Sequence, residues 1–351
     1  MNSSDDDRIL AAPPAPLVRV EGGAVANLDA IADDLHHAES LAERSRAQNT
    51  REAYRSAWRW FELYCEAHGA STLPAHPATV AAFLAARSTG TAPVPPVAPG
   101  TRRPSPGGAV GLSALVTAAA AIRDAHARRG LASPTDHPQV RRVLDGLTRD
   151  LGRAAKGKLP VRIEDLIALR GLHDGDTSPR WLRDWSILLV GFASALRRSN
   201  LAALGVDDVT FDPRGLAIWV ARSKTDQEGA GRWVGVLRRP LLCPVRALEA
   251  WRVVAPATPP LWCGLTRVGR PTGAPIVGAT VESIVKDRMA ELGFDPSGYG
   301  AHSLRAGFAT AAKGRALRDV MSQGGWSDPR TALRYQRKEA IFDDNPSDVL
   351  P

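Results

Sequence analysis

Between Trp181 and Ala193 the chain is mostly apolar with helical spacing, and it breaks off at Ser194-Ala195, just ahead of Arg197-Arg198-Ser199. A helix of that kind has to be covered by neighbours on most of its surface, so it needs a substantial core around it. A second run, Leu201-Ala202-Ala203-Leu204, follows at once and places Arg197 at the junction of two buried helices. A guanidinium in such a place is costly unless something anionic meets it. At 351 residues the chain is long enough for two domains, each with its own core.

The last fifty residues carry an ordered set of hydrogen-bond donors leading to one phenol: His302-Ser303-Leu304-Arg305, then Gly324-Gly325-Trp326, then Tyr335. A tyrosine hydroxyl, with a reference pKa near 10, must lose its proton to attack, and its target must already have its negative oxygens neutralised. Arginine suits the second task, because its planar fork stays charged and pairs bidentately with phosphate oxygens. His302 and Arg305 stand three apart at a predicted helix start and so face one point. Trp326 offers an indole N–H, a donor without acceptor capacity. Asp328-Pro329 reads as an N-cap followed by proline at the first helical position, which puts Tyr335 about two turns into a new helix. Taken singly each residue is ordinary; the order suggests a phosphodiester attacked by a tyrosine. Tyr54, Tyr64 and Tyr299 are the rival nucleophiles, Tyr299 being nearest His302 in sequence.

Upstream, Leu216 to Arg222 alternates like a strand, a polar turn of Ser223 to Gly231 follows, and Arg232 to Val236 returns as a second strand, with Lys224 at the mouth of the hairpin. Ala195-Leu196-Arg197, Ser223-Lys224-Thr225, His302-Ser303-Leu304-Arg305, Gly324-Gly325-Trp326 and Tyr335, in that order, resemble the pattern of the tyrosine recombinases of the phage-integrase family. Tryptophan at the fifth place, Arg128-Arg129-Gly130-Leu131 before Pro134-Thr135-Asp136, and Leu261-Trp262-Cys263 resemble its Cre-like members in particular. The likeness covers roughly residues 40 to 340. It implies a mainly α fold: a helical, SAM-like core-binding domain, then a catalytic domain that is mostly helical with a small antiparallel sheet. It implies site-specific recombination through a 3′-phosphotyrosyl intermediate, with Tyr335 as nucleophile. Arg197 and Arg305 would lie on the non-bridging oxygens, His302 would take the tyrosine proton, Trp326 would donate to the phosphate, and Lys224 would act as general acid. It implies no cofactor and no metal. The partners implied are double-stranded DNA with an inverted-repeat site, clamped between the domains, and further copies of the chain, four on two DNA sites. One departure stands out: Asn200 occupies the position, three after Arg197, where the family commonly has an acid.

The rest of the chain fits this frame. Residues 1–38 are acidic and rich in Pro and Ala, an expected disordered segment. A core-binding domain is expected over 39–151. Its first helix starts from Ser45, with Tyr54, Trp58, Phe61 and Cys65 on a core stripe, and with Asn49, Thr50 and Arg51 projecting where the family's domain meets DNA. Further helices are expected over Pro77–Arg87, Leu112–Arg129 and Gln139–Leu151, and the Thr89–Gly111 insert, with Arg102 and Arg103, reads as too irregular to pack. Residues 152–160, with Arg153, Lys156 and Lys158, read as a basic interdomain linker and DNA contact; 161–340 is the catalytic domain; 341–351 is a tail expected to dock on a neighbouring protomer. Net charge is +8, but the first 40 residues carry −6 and the other 311 carry +14, an excess that suits a phosphate-binding surface. Cys65, Cys243 and Cys263 are not spaced for metal or disulfide work. No run approaches a membrane span and the acidic start is wrong for a secretory signal, so the cytoplasm is the expected location and no membrane partner is expected. Two rivals remain: a type IB topoisomerase with similar chemistry, and a non-catalytic DNA-binding relative.

Overall fold

The computed structural model describes residues 33–34, 37, 48–93, 108–152, 157–221, 231–257 and 260–337. Of the sequence-predicted features, Lys224, Arg153, Lys156, the Arg102-Arg103 pair, the side chain of Asn49, the 341–351 tail and most of the first 38 residues lie outside that description. The chain divides into two compact units, Met1–Ala155 and Lys156–Pro351. The fold follows the expected class, mainly helical, with its small antiparallel sheets in the second unit.

The described part of the first unit is helical: α1 (Gln48–Ala67), α2 (Pro77–Thr89), α3 (Leu112–Ala127) and α4 (Pro138–Leu151), with a 3₁₀ turn at Pro134–Asp136. Three of the four residues expected on the α1 stripe form the core face: Phe61 and Cys65 are fully buried and Trp58 nearly so, packed with Phe83, Leu84, Leu115, Ile122 and Val140, while Tyr54 is only half-buried and outside that cluster. The Thr89–Gly111 insert departs from expectation at its ends. Ala92 is buried, Val110 packs against the same core, and the Val110 N–H donates to Arg87 O at 3.1 Å, so a short apolar anchor holds each side of a Pro/Gly-rich stretch.

The second unit runs α5 (Ile163–Leu172), α6 (Pro179–Ser194), α7 (Arg198–Ala203), β1 (Val209–Asp212), β2 (Gly215–Val220), β3 (Arg232–Leu237), α8 (Pro244–Val254), β4 (Cys263–Leu265), β5 (Pro271–Pro275), α9 (Gly278–Glu291), α10 (Ala301–Ala311), α11 (Leu317–Gly324) and α12 (Pro329–Arg337). Proline opens α2, α4, α6 and α8, and the residue before it accepts a backbone N–H through its side chain: His76, His137, Ser178 and Cys243. The proline lacks the N–H that a helix start leaves unpaired anyway, which is why these boundaries are legible in sequence. The apolar run became α6, with Ile187, Leu188 and Val190 at 0 % exposure. Within it Asp184 is 4 % exposed and Arg183 is 6 % exposed; Asp184 accepts from Arg183 and, 104 positions away, from Arg288 of α9, each at 2.8 Å.

The expected hairpin is present as β2 and β3, whose antiparallel ladder ends at Trp219↔Trp233 and Val220↔Arg232. Two features were not anticipated: β1, which adds a third strand, and a separate β4–β5 pair. The first is only four residues long, and the second contains Gly264, Gly273, Pro271 and Pro275, which carry little strand propensity. The described end of the linker is also docked: Leu159 N–H donates to Gly298 O at 2.9 Å and Lys158 Nζ to Ser297 O at 2.6 Å, within the second unit. Among the described residues no helix is long and apolar enough to cross a membrane.

Candidate functional site

Three helix boundaries of the second unit converge. At the first, α6 ends at Ala195, which takes the left-handed conformation at φ 50°, rare for a residue with a Cβ. Three residues on, α7 begins, and Arg197 is its extended N-cap, half-buried at the turn. At the second, Gly300 precedes α10, where the Gly300 N–H donates to Ser303 Oγ at 3.1 Å and fixes the first turn that carries His302 and Arg305. At the third, α11 ends on Gly324 and Gly325. The Trp326 ring folds back over Gly324 so closely that a Cβ there would stand 2.1 Å from it, and Gly325 turns the chain at φ 63°. Asp328 Oδ1 then accepts the Arg330 N–H at 3.0 Å, and α12 presents Tyr335.

Arg197, His302, Arg305, Trp326 and Tyr335 are thereby brought together. The Tyr335 hydroxyl is in short hydrogen-bond contact with His302 Nε2, their ring centroids 5.4 Å apart. Trp326, 7 % exposed, lies between Tyr335, at 6.2 Å between centroids, and Arg305, whose guanidinium carbon is 4.6 Å above the indole. Arg305 is 3 % exposed and donates to Ala195 O and, at 3.0 Å, to Gly324 O. Arg197 Nη2 donates to Gly325 O at 3.4 Å. The electrostatics follow from packing cations in a half-dry site. Burial, then the Arg197 charge, brings the Arg305 pKa down to about 10, with Tyr335 opposing and Arg232 adding to the depression. The same causes, burial followed by Arg305 and Arg197, hold His302 below the ordinary imidazole value, so it is a neutral base at neutral pH. Such a site can receive a tetrahedral anion and a proton from the phenol beside it.

Other sequence-predicted positions lie elsewhere. Tyr299 is 5 % exposed in the core beside Phe294, with Asp165 and Arg162 as the charged groups acting on it, and Tyr64 is 8 % exposed within the core of the first unit. Asn200 is half-buried on α7 with Ser199 Oγ donating to its Oδ1 at 3.4 Å. Thr50 and Arg51 are half-buried on α1, and Arg51 Nε is buried with no partner among the described residues. Lys158 is engaged by the Ser297 carbonyl. Sequence reasoning missed Arg232 and Gln323. Arg232 opens β3 and donates to the end of α11, while Gln323 Nε2 joins Ala193 O at 2.9 Å to Gly235 O at 2.8 Å. The only advance signal was an arginine opening a strand that returns from the hairpin, which alternation alone reads as a rim residue. Among the described residues no three His, Cys, Asp or Glu side chains gather to hold a metal ion.

The chain is similar to known proteins in sequence and in fold. Residues 168–340 match the Phage integrase family. An integrase/recombinase XerD homolog of Selenomonas ruminantium is 31 % identical over 308 residues, covering 86 % of this chain and 85 % of that protein. Recombinase Cre of Escherichia phage P1 is 25 % identical over 60 % of this chain and 66 % of its own length, so the Cre-like phrases mark the weaker of the two likenesses. Among solved structures, XerH site-specific recombinase in a post-cleavage complex with a palindromic difH substrate superposes with a TM-score of 0.52 at 15 % identity, over 77 % of this chain and 73 % of that one.

Proposed function

Because the chain belongs to the phage integrase family, and is therefore a tyrosine site-specific recombinase that cleaves and rejoins DNA, we propose that Tyr335 is its nucleophile and that the cluster around it is the strand-exchange centre. The observation that carries this reading is the contact of the Tyr335 hydroxyl with a neutral His302, beside Arg305 and near Arg197. In the proposed step Tyr335 Oη bonds to the scissile phosphorus as its proton passes to His302 Nε2. Arg197 and Arg305 turn their forks to the non-bridging oxygens and stabilise the charge that builds on them. Trp326 donates its indole N–H to the phosphate, and the bond to the 5′-oxygen breaks as Lys224 protonates it. The products are a 3′-phosphotyrosyl link and a free 5′-hydroxyl. The link keeps the phosphodiester's energy, so a 5′-hydroxyl from a second duplex can reverse the step without ATP.

The decisive test uses a nicked suicide duplex, built on the inverted repeat that Tyr335→Phe protein selects from random-sequence DNA. Wild type is expected to become covalently attached, and Tyr335→Phe to bind equally and never attach. Attachment by the variant would pass the role to another tyrosine. Relaxation of random-sequence supercoiled plasmid would instead favour the topoisomerase reading.

The same reading takes the working form to be four copies on two inverted-repeat sites, linked by their tails. Residues 341–351 pair apolar positions (Ile341, Phe342, Val349, Leu350) with Asp343, Asp344 and Asp348. A groove of about 490 Å³ in the second unit suits such a segment: its floor is Leu166, Leu189, Phe192 and Phe308, and its charged lining is Arg239 and Arg315 against the single carboxylate of Asp319. We take its occupant to be the tail of a neighbouring copy.

A further inference from the structure

Four consecutive carbonyls at the end of α11 each meet a guanidinium, and three arginines divide them in order. Arg232 Nη1 donates to Ser322 O at 2.8 Å, and Nη1 and Nη2 both donate to Gln323 O at 3.2 Å. Arg305 takes Gly324 O and Arg197 takes Gly325 O. These carbonyls lie at the negative end of the helix dipole, where the usual i+4 partner is lacking, and Ser322 O takes the Gly325 N–H at 3.3 Å as well. Arg197 and Arg305 are needed on phosphate in the chemistry proposed above. Arg232 has no part in that chemistry, yet it is held in place at some expense. Burial, then the Arg197 charge, depresses its pKa, and its Nε is buried with no partner among the described residues. Its plane lies against Gly325, where a Cβ would stand 3.0 Å from Nη2 and 3.1 Å from Nε. It is also the first residue of β3, paired with Val220, directly after the turn segment that contains Lys224. One side chain therefore ties the strand returning from that turn to the residue preceding Trp326.

We propose that Arg232 is a positioning residue for strand cleavage: it satisfies the Ser322 and Gln323 carbonyls and braces Gly325, which leaves the forks of Arg197 and Arg305 available to the scissile phosphate. Without it, the Gln323 carbonyl is orphaned at a helix C-terminus and the Ser322 carbonyl keeps only the Gly325 N–H at 3.3 Å, so the freed acceptors compete with phosphate for the remaining guanidiniums, and the corner leading to Trp326 loses its tie to the sheet. The inference rests on the reading of Tyr335 as nucleophile. Lysine cannot replace arginine here, since an ammonium is a point charge and cannot span two carbonyls while lying flat on Gly325.

The test compares wild type, Arg232→Lys, Arg232→Met and Gly325→Ala as full chains on the suicide duplex, with half-site affinity measured in a Tyr335→Phe background. Both Arg232 variants are expected to bind within about threefold of wild type but to cleave about 10- to 100-fold more slowly at saturating protein, the scale of a misplaced catalytic group. The Gly325→Ala defect is expected to add little to that of Arg232→Lys, because both disturb one contact. Wild-type cleavage by Arg232→Lys alongside a slow Arg232→Met would show that charge alone matters and overturn the proposal. Wild-type cleavage rates in both variants, or losses of affinity and thermal stability that match the loss of rate in both, would overturn it too. Attachment of Tyr335→Phe protein to the duplex would reject Tyr335 as nucleophile, a failure visible before any Arg232 variant is compared.

Discussion

The role proposed for His302 requires an unprotonated ring nitrogen facing Tyr335, and its surroundings supply one. Partial burial, Arg305 and Arg197 all disfavour a further positive charge, so the folded-state pKa lies below the ordinary value of about 6.5. As pH falls, base function is kept through the range where a free histidine would already be protonated. The acid limb of the cleavage rate is therefore expected to be centred below about pH 6.5; a limb centred at or above that value, or one unchanged in His302→Gln, would assign the proton to another group. Lys224 is tested by its leaving group. An alkoxide needs a proton as the P–O bond breaks, whereas a thiol, with a pKa of about 8.5, departs as the anion. Lys224→Ala is expected to cleave ordinary DNA roughly 10²- to 10⁴-fold more slowly and to be largely rescued by sulfur at the 5′-bridging position, while Arg197→Ala is not. Equal Lys224→Ala defects on both substrates would leave the lysine only a positioning role. Residues such as His302 and Arg305 were legible because a spacing of three on one helix turn fixes their common direction without tertiary information. Arg232 was not, because its neighbours at Ser322 and Gln323 lie about ninety positions away and no local pattern announces them.

At the scale of elements, helix ends were easier to read than strands because their chemistry is local. Pro179 after Ser178 and Pro329 after Asp328 state a start in two residues. The β4–β5 pair has no such local mark, and its strands form through Cys263↔Pro275 and Leu265↔Pro271. The sequence also did not reveal how α6 is fixed. Its apolar run marks a buried helix, but Asp184 inside that run is meaningful only with Arg288 of α9 against it, and Arg288 in turn donates to Glu291 at 2.8 Å. Replacing such a buried pair by apolar groups can be neutral, whereas removing one partner leaves charges uncompensated. Asp184→Ala strands the buried Arg183 and leaves Arg288 with Glu291 as its acidic partner, and is expected to destabilise the protein by about 3–5 kcal/mol. Chemical denaturation of the full chain measures this; a loss below about 1 kcal/mol, the level of an exposed ion pair, would mean that solvent reaches the network.

At the scale of the whole molecule, the acidic tail and the basic rim of the groove belong to one argument. A segment with apolar residues near both ends and aspartates between them matches a groove that offers an apolar floor such as Leu166 and Phe308 for Ile341 and Phe342, and Arg239 and Arg315 for its carboxylates. If the groove belongs to a neighbouring copy, each protomer both gives and receives a tail, a head-to-tail contact that closes a ring when the rotation between copies allows it. Deleting residues 341–351 is then expected to leave affinity for a single half-site within about twofold, since no phosphate contact is removed, and to abolish assembly of two DNA sites at concentrations where the full chain forms it. Charge reversal separates this from a tail that folds back on its own groove. Arg239→Glu with Arg315→Glu should reproduce the deletion, and mixing that variant with tail-deleted protein should give no assembly beyond a single linked pair, because only one direction of tail exchange survives. Assembly of two sites by the tail-deleted protein alone, measured by sizing with light scattering, would show that synapsis is built from other surfaces.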